Sequence, residues 1–231
     1  MFQKLRHLGT IVKVVISKTA HRWFASITVD VANDAIPDIR HNPVVGVDVG
    51  INHLAVTSEG VYHENPKALK RYQRKLKRLQ RQLSRRQKGS SNWHKTKAKL
   101  AKLHYRITCI RQDAQHQATT AIVNGASRIG IESLNVAGML KNHRLAKALS
   151  DASLSSFLTM LAYKAERIDV KIVEADTFYP SSKTCSACGA KDKDLSLSDR
   201  TYHCSDCGHT QDRDLNAAIN LRNVAAGHAE T

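Results

Sequence analysis

Two periods of apolar spacing divide the chain. From Trp23 to Val31 every second residue is apolar (Trp23, Ala25, Ile27, Val29, Val31), and the run IVKVVI (11–16) precedes them across Thr19-Ala20-His21. Period two with a turn between the runs predicts a β-hairpin. Two strands alone are marginal in water, so the hairpin needs a surface to pack on. Pro37 and Pro43 bracket a linker. VVGVDVG (44–50) then reads as a strand that is apolar on both faces, followed by LAVTS (54–58) and GVYHE (60–64) across the turn Ser58-Glu59-Gly60. Three antiparallel strands are expected here.

The period then changes to that of a helix. Leu69, Tyr72, Leu76, Leu79 and Leu83 recur at spacings of three and four, which predicts one apolar seam. QKGSS (87–91) interrupts it. A longer helix is expected from Asn92 to Val123, with Trp93, Leu100, Leu103, Ile107, Ile110, Ala114 and Ala121 as its seam and Asn124-Gly125 as its C-cap. Two seams joined by a short loop predict an antiparallel helical hairpin. SRIGIESLN (127–135) reads as a strand, followed by a polar loop, a helix over Ser153–Arg167 and a strand in VKIVEAD (170–176). That alternation predicts parallel strands in an α/β sheet. QDRDLNAAINLRN (211–223) is a final helix with Leu215, Ala218, Ile219 and Leu221 facing inward.

Charge changes the picture at one element. The 231 residues carry 36 Lys/Arg against 20 Asp/Glu, a formal net charge of +16. Residues 65–112 hold 17 of the basic residues and no acid, so the remainder is close to balance. The predicted helices expose Lys70, Arg71, Arg74, Lys75, Lys77, Arg78, Arg81, Arg85, Lys97 and Lys102. Solvated helix faces mix signs for i,i+4 pairing, whereas a long uncompensated face repels itself unless a polyanion lies along it. Phosphate-backbone binding is the reading, with DNA or RNA as partner. Lys13 interrupts the N-terminal apolar run and no cleavage site follows, so no secretory signal is read. No stretch approaches a membrane-spanning length. The expectation is a cytoplasmic, nucleoid-associated protein with reduced cysteines and no membrane partner.

Candidate chemistry lies in acids and cysteines. Asp48 sits in the middle of the VVGVDVG strand, where a lone carboxylate costs several kcal/mol unless it is paired or bound to metal. Taken alone, it reads equally as a hydrogen-bonded acid or a strand end. Glu132 ends the strand at 127–135, and Asp212 and Asp214 precede the last helix. Asp212 fits an N-cap acid. Cys185-Ser-Ala-Cys188 and Cys204-Ser-Asp-Cys207 stand 15 residues apart, each pair followed by glycine. That is four-cysteine zinc spacing: four thiolates close a tetrahedral Zn²⁺ shell and leave no water position, so the ion is structural. Cys109 lies within a predicted helix and reads as packing.

Taken in order, GVDVG, IGIESLN, PSSKTCSACG, YHCSDCG and DRDLNAAIN closely resemble the OrfB/TnpB proteins of bacterial insertion sequences, transposon-encoded relatives of the type V CRISPR nucleases. The resemblance runs from about Arg22 to Asn223. It implies an α/β fold with an RNase H-like (RuvC) mixed sheet, an inserted basic helical hairpin and a four-cysteine zinc ribbon. The implied domains are a remnant β-hairpin of an N-terminal wedge barrel (1–36) and the first part of the nuclease core (37–180, the hairpin inserted at 64–124). The ribbon follows (181–210), then the last acidic motif and helix (211–231). It also implies catalytic acids at Asp48, Glu132 and Asp214, the last because D-x-N fits Asp214-Leu215-Asn216, and zinc at Cys185, Cys188, Cys204 and Cys207.

Three carboxylates that converge from distant points of a chain can hold two Mg²⁺ ions about 3.5–4 Å apart for in-line attack on a phosphodiester. The resemblance implies RNA-guided cleavage of DNA, with a guide RNA and a transposase of the same element as partners. Members of the family are longer at the N-terminus, and the chain here is expected to start near the last strands of the wedge barrel. Two functions follow: a metal-dependent endonuclease of a transposable element, or a non-cleaving, truncated RNA/DNA-binding protein that modulates a full-length nuclease or transposase.

Overall fold

The computed structural model describes residues 9–30, 38–39, 41–192, 195–196 and 199–227. The expectations placed on Val31 and Pro37 lie outside them. The elements fall into two compact units.

One unit holds β1 (Thr10–Thr19), β2 (Arg22–Asp30), α1 (Ala68–Ser84) and the first part of α2 (Ser91–Asn124). The strands pair antiparallel from Thr19↔Arg22 to Thr10↔Asp30, as their alternation predicts. Ala20 turns the chain at a φ of 56°. The predicted seam of α1 packs with α2: Leu76 and Leu79 share an apolar cluster with Leu103 and Ile107, and Leu69, Tyr72 and Leu100 line its edge. Tyr105 receives the rings of Phe24 at 6.2 Å and His21 at 5.8 Å.

The other unit is built on a five-stranded sheet in the order β5-β4-β3-β6-β7. Its strands are β3 (Val44–Asp48), β4 (His53–Thr57), β5 (Tyr62–Glu64), β6 (Arg128–Glu132) and β7 (Lys171–Ala175). The first three pair antiparallel, whereas β3, β6 and β7 pair parallel. On one face Val45, Val47, Ile129 and Ile131 pack against Ala118, Ile122 and Val123 of α2 and against Phe157, Leu161 and Ala165 of α5 (Leu154–Arg167). This corrects the expected seam of α2, because Ala121 is exposed while Ala118 and Ile122 are buried. A straight helix drifts about 20° per heptad from a strict seven-residue repeat, and the stripe moves with it.

The segment expected as a polar loop after β6 contains two short helices, α3 (Val136–Met139) and α4 (Ala146–Ala152). Leu149, Ala152 and Leu154 are buried against Val49, Ile51 and Val136. Buried Gln115 fixes the α4–α5 junction by donating to the carbonyls of Ala152 and Ser153 at 2.9 and 3.0 Å. Three apolar positions thus outweigh the polar residues around them.

The opposite face of the sheet carries α6 (Arg213–Ala226). A Cβ on Gly46 would stand 1.9 Å from the Ala218 carbonyl oxygen, and one on Gly130 would stand 2.1 Å from that of Leu221. Backbone therefore meets backbone at both strands, and no larger residue fits. A separate two-stranded sheet, β8 (Thr201–His203) with β9 (Thr210–Asp212), belongs to the cysteine-rich segment. Among the described residues no helix is long and apolar enough to cross a membrane.

Candidate functional site

Strand parity places the acids. Asp48 lies two residues beyond Gly46 and Glu132 two beyond Gly130, so both carboxylates share the α6 face of the sheet. The parallel pairing ends at Val47↔Ile131, which makes Asp48 and Glu132 the next neighbours at the C-terminal ends of adjacent strands. Helix α6 brings Asp214 in its first turn. The carboxyl group of Asp48 is enclosed although part of the residue reaches solvent. That enclosure holds its pKa well above the ordinary 3.8. The charges of Glu132, Asp214 and Asp212 push the same way and the Arg213 guanidinium opposes them.

Asp212 is the N-cap of α6: its Oδ1 accepts from the backbone amides of Asp214 at 3.1 Å and Leu215 at 3.0 Å. The Tyr62 hydroxyl bonds to the same carboxylate, and burial together with the charges of Asp212 and Asp214 raises the phenol's pKa. Arg213 donates to Oδ1 of Asp214 at 3.2 Å through one guanidinium nitrogen, which leaves the other carboxylate oxygen outside this contact. The pairing is one-pronged and does not engage Asp214 as a bidentate clamp would.

Sequence reasoning does not reach Arg213 or Tyr62, nor the polar groups beneath the site. Buried Ser181 donates to Oε1 of Glu132. Asn216 and Asn220, also buried, bond to the loop at 181–186. In the sequence Asn216 is visible only as the end of a D-x-N pattern, and Ser181 only as a letter of PSSKTCSACG.

The four cysteines form the second centre. Cys185 Sγ lies 3.7 Å from Cys207 Sγ, and Cys188 Sγ lies 3.6 Å from Cys204 Sγ. A disulfide would need about 2.05 Å. A tetrahedron with metal–sulfur bonds of about 2.3 Å has edges of about 3.8 Å, so these thiols fit a thiolate-binding ion. The two knuckles share one bonding pattern. Cys185 N donates to the Ala190 carbonyl and Cys204 N to that of His209, both at 2.8 Å. Gly189 and Gly208 follow with φ of 79° and 72°, which is why glycine is needed there. The Cys207 backbone amide pulls the Cys204 thiol down to about 7. Among the described residues these cysteines are the group of three or more whose ligand atoms all lie within 4.8 Å of one another. Asp48, Glu132 and Asp214 do not make a second group of that kind; Ser181 and Arg213 hold two of the three.

The predicted basic residues Lys70, Arg71, Arg74, Lys77, Arg78, Arg81 and Arg85 are all exposed on or just beyond α1. Arg74, Lys77, Arg78, Arg81, Gln82 and Arg85 line a groove of about 440 Å³. Arg71 lies over the Tyr72 ring at 5.6 Å.

Residues 26–143 match a family model described as "Probable transposase" (OrfB_IS605), and residues 155–221 match the TNB domain of Cas12f1-like proteins. A Streptomyces pristinaespiralis protein named "Putative RNA-guided DNA endonuclease" is 40% identical over 211 residues, 91% of this chain and 51% of that protein. One of the same description from Escherichia coli K12, InsQ, is 33% identical over 236 residues, 96% of this chain and 58% of that protein. A cryo-EM structure of a Cas12f1–sgRNA–target DNA complex shares the fold at a TM-score of 0.55 and 16% identity, covering 91% of this chain and 55% of that one. The chain spans about half the length of the curated relatives it matches. With about half of its residues under the transposase model and sequence identity to these relatives along nearly all of its length, the chain belongs to the OrfB family of transposon-encoded proteins.

Proposed function

We propose that this chain carries the nuclease portion of an RNA-guided, metal-dependent DNA endonuclease of a transposable element. The observation that carries the reading is the meeting of Asp48 and Glu132 on one face of adjacent parallel strands, with Asp214 presented above them by α6. The mixed sheet, three antiparallel strands continued by two parallel ones, supports an RNase H-like (RuvC) core. We read α1 and α2 as a basic helical hairpin inserted in that core, and residues 181–210 as a zinc ribbon.

Two Mg²⁺ ions held by Asp48, Glu132 and Asp214 would supply an activated water and stabilise the departing 3′ oxygen of a phosphodiester. The residues define what the site does before any ion arrives. Asp48 is enclosed beside the charges of Glu132, Asp214 and Asp212, which favour its protonated form, and divalent cations would offset that charge in the proton's place. Asp212 holds the first turn of α6 in place and thereby Asp214. Arg213 offsets part of the negative charge at a single oxygen. The cysteines hold Zn²⁺ as a closed structural site apart from the chemistry. The basic face of α1 grips the phosphate backbone of the guide RNA or its DNA.

The test is cleavage. With Mg²⁺ and RNA transcribed from the element's end, the protein should cut matching DNA, and Asp48→Ala should abolish the cut. Equal cutting by the variant would remove Asp48 from the mechanism. A second reading is a non-cleaving nucleic-acid-binding protein that modulates a full-length nuclease or a transposase of the same element. It is favoured by the placement of the α1 basic face on the unit that holds none of the three acids. It requires RNA binding that is indifferent to Asp48→Ala and no cleavage with any metal.

A further inference from the structure

Glu132 ends a strand, where a carboxylate has several rotamers open to it. One contact restricts them. The Ser181 hydroxyl donates to Oε1 of Glu132 from a residue that is 1% exposed. A neutral donor fixes the rotamer without bringing a positive charge and leaves the second oxygen outside this contact. An arginine in that place would fix it too, but would cancel the charge a cation needs.

Ser181 is itself held on its main chain. Its carbonyl accepts from Asn220 Nδ2 at 2.8 Å. The carbonyl of Thr184, three residues on, accepts from both Asn216 and Asn220 at 2.7 Å. Asn216 Oδ1 accepts from the Ser186 amide at 2.9 Å. Both asparagines are buried, 0% and 3% exposed, and this network uses both ends of the Asn216 amide. The same helix presents Asp214 one residue after its start. Loop 181–186 and α6 are therefore one hydrogen-bonded piece, and that piece sets Asp214 directly and Glu132 through Ser181.

We propose that Ser181 is a positioning residue, orienting Glu132 for divalent-cation binding at the end of β6 while Asn216 and Asn220 hold its loop on α6. This rests on the carboxylate site proposed above. Outer partners of metal ligands typically contribute about 10–100-fold in metal affinity.

The test uses the full chain and Mn²⁺ as probe, with free Mn²⁺ followed by EPR and the metal content at the cysteines measured in the same samples. Ser181→Ala is expected to weaken Mn²⁺ binding by about 10-fold or more, with melting temperature and cysteine-bound metal unchanged. Ser181→Thr, which keeps the hydroxyl, is expected to retain affinity. Ser181→Cys, near in volume with a weak donor, reads the same bond should the alanine variant not fold. In a Glu132→Gln background, adding Ser181→Ala should cost nothing further. Wild-type affinity in Ser181→Ala, or a full additional loss in the Glu132→Gln background, would overturn the role of Ser181. Mn²⁺ binding that Asp48→Asn leaves intact would instead overturn the carboxylate site on which the inference stands.

Discussion

Gly46 and Ala218 meet where no side chain fits: a Cβ on the glycine would lie 1.9 Å from the Ala218 carbonyl oxygen and 2.3 Å from the Arg222 amide nitrogen. The atoms in the way are backbone, so they cannot rotate aside. Gly46→Ala should force α6 off the sheet, at a cost of about 3 kcal/mol or more. Gly50→Ala, whose Cβ meets its nearest neighbour at an ordinary 3.4 Å, should cost less than about 1 kcal/mol. Chemical denaturation of the two variants checks the contrast. A Gly46→Ala protein as stable as the Gly50→Ala one would mean that the helix does not rest on this strand.

If the proposed carboxylate site holds a divalent cation, that ion should relieve the cost of burying Asp48. Burial raises its carboxyl pKa in the folded state above the ordinary 3.8, so the folded protein holds a proton that the unfolded chain releases. Stability from this group is fully present below the unfolded value and is lost as pH rises through the raised folded value. Asp48→Asn should therefore melt higher than wild type at neutral pH in the absence of divalent ions. The gap should narrow as the pH falls toward the ordinary carboxyl value of 3.8. Each kcal/mol relieved corresponds to about 2–4 °C for a chain of this size. Mg²⁺ should raise the wild-type melting temperature and leave that of Asp48→Asn unchanged. Scanning fluorimetry over a pH series with and without Mg²⁺ reads both effects, and a variant that melts below wild type at pH 7 contradicts them.

Proton release should accompany metal binding at the cysteines. The Cys204 thiol is drawn down to about 7, whereas Cys188 is pushed up to about 12 and Cys207 is raised as well. At pH 8 the metal-free site holds Cys204 largely as thiolate and still carries protons on Cys188 and Cys207, which an ion displaces. Calorimetry of Zn²⁺ binding in buffers of different ionisation enthalpy should count at least two protons released. Binding should weaken as pH falls, and more steeply below about 7, where Cys204 takes up a proton too. Release of no protons would show that the thiols do not ligate the ion.

Strands β3 and β6 are legible in the chain because each is a short apolar run that carries a single acid, and an acid in such a run needs a cause. Parity also lies in view, with Gly46 two before Asp48 and Gly130 two before Glu132. It carries no meaning until a helix is known to cover that face. Helices α3 and α4 are not legible, since Lys141, His143, Arg144 and Lys147 give the segment a polar composition while Leu149 and Ala152 anchor it. Ser181 is invisible for a different reason. A hydroxyl in a loop has no periodicity, and its partner Glu132 lies 49 residues away. Asn216 and Asn220 read as polar helix positions, yet they are among the most buried residues of α6 because carbonyls of loop 181–186 meet them there.

The basic face of α1 should behave as a polyelectrolyte contact. Arg74, Lys77, Arg78 and Arg81 recur at spacings of three and one along the helix and are all exposed, lining one groove with Arg85. The first turn of α1 contains no acid, and the helix sequence carries none to offset the charge. Each lysine or arginine that neutralises a phosphate releases condensed counterions, so the logarithm of the binding constant falls with the logarithm of salt in proportion to the phosphates neutralised. Replacing Arg74, Arg78 and Arg81 with alanine should weaken binding of a single-stranded RNA uniformly across sequences and reduce the salt slope by about 0.7 for each arginine removed, about 2 in total. Stability should change little, because these side chains lie off the Leu76–Leu79 seam. Fluorescence anisotropy over a KCl series measures the slope, and the melting temperature checks the fold. An unchanged slope would place the phosphate contacts elsewhere, whereas an unchanged slope together with weaker sequence preference would make these arginines base readers.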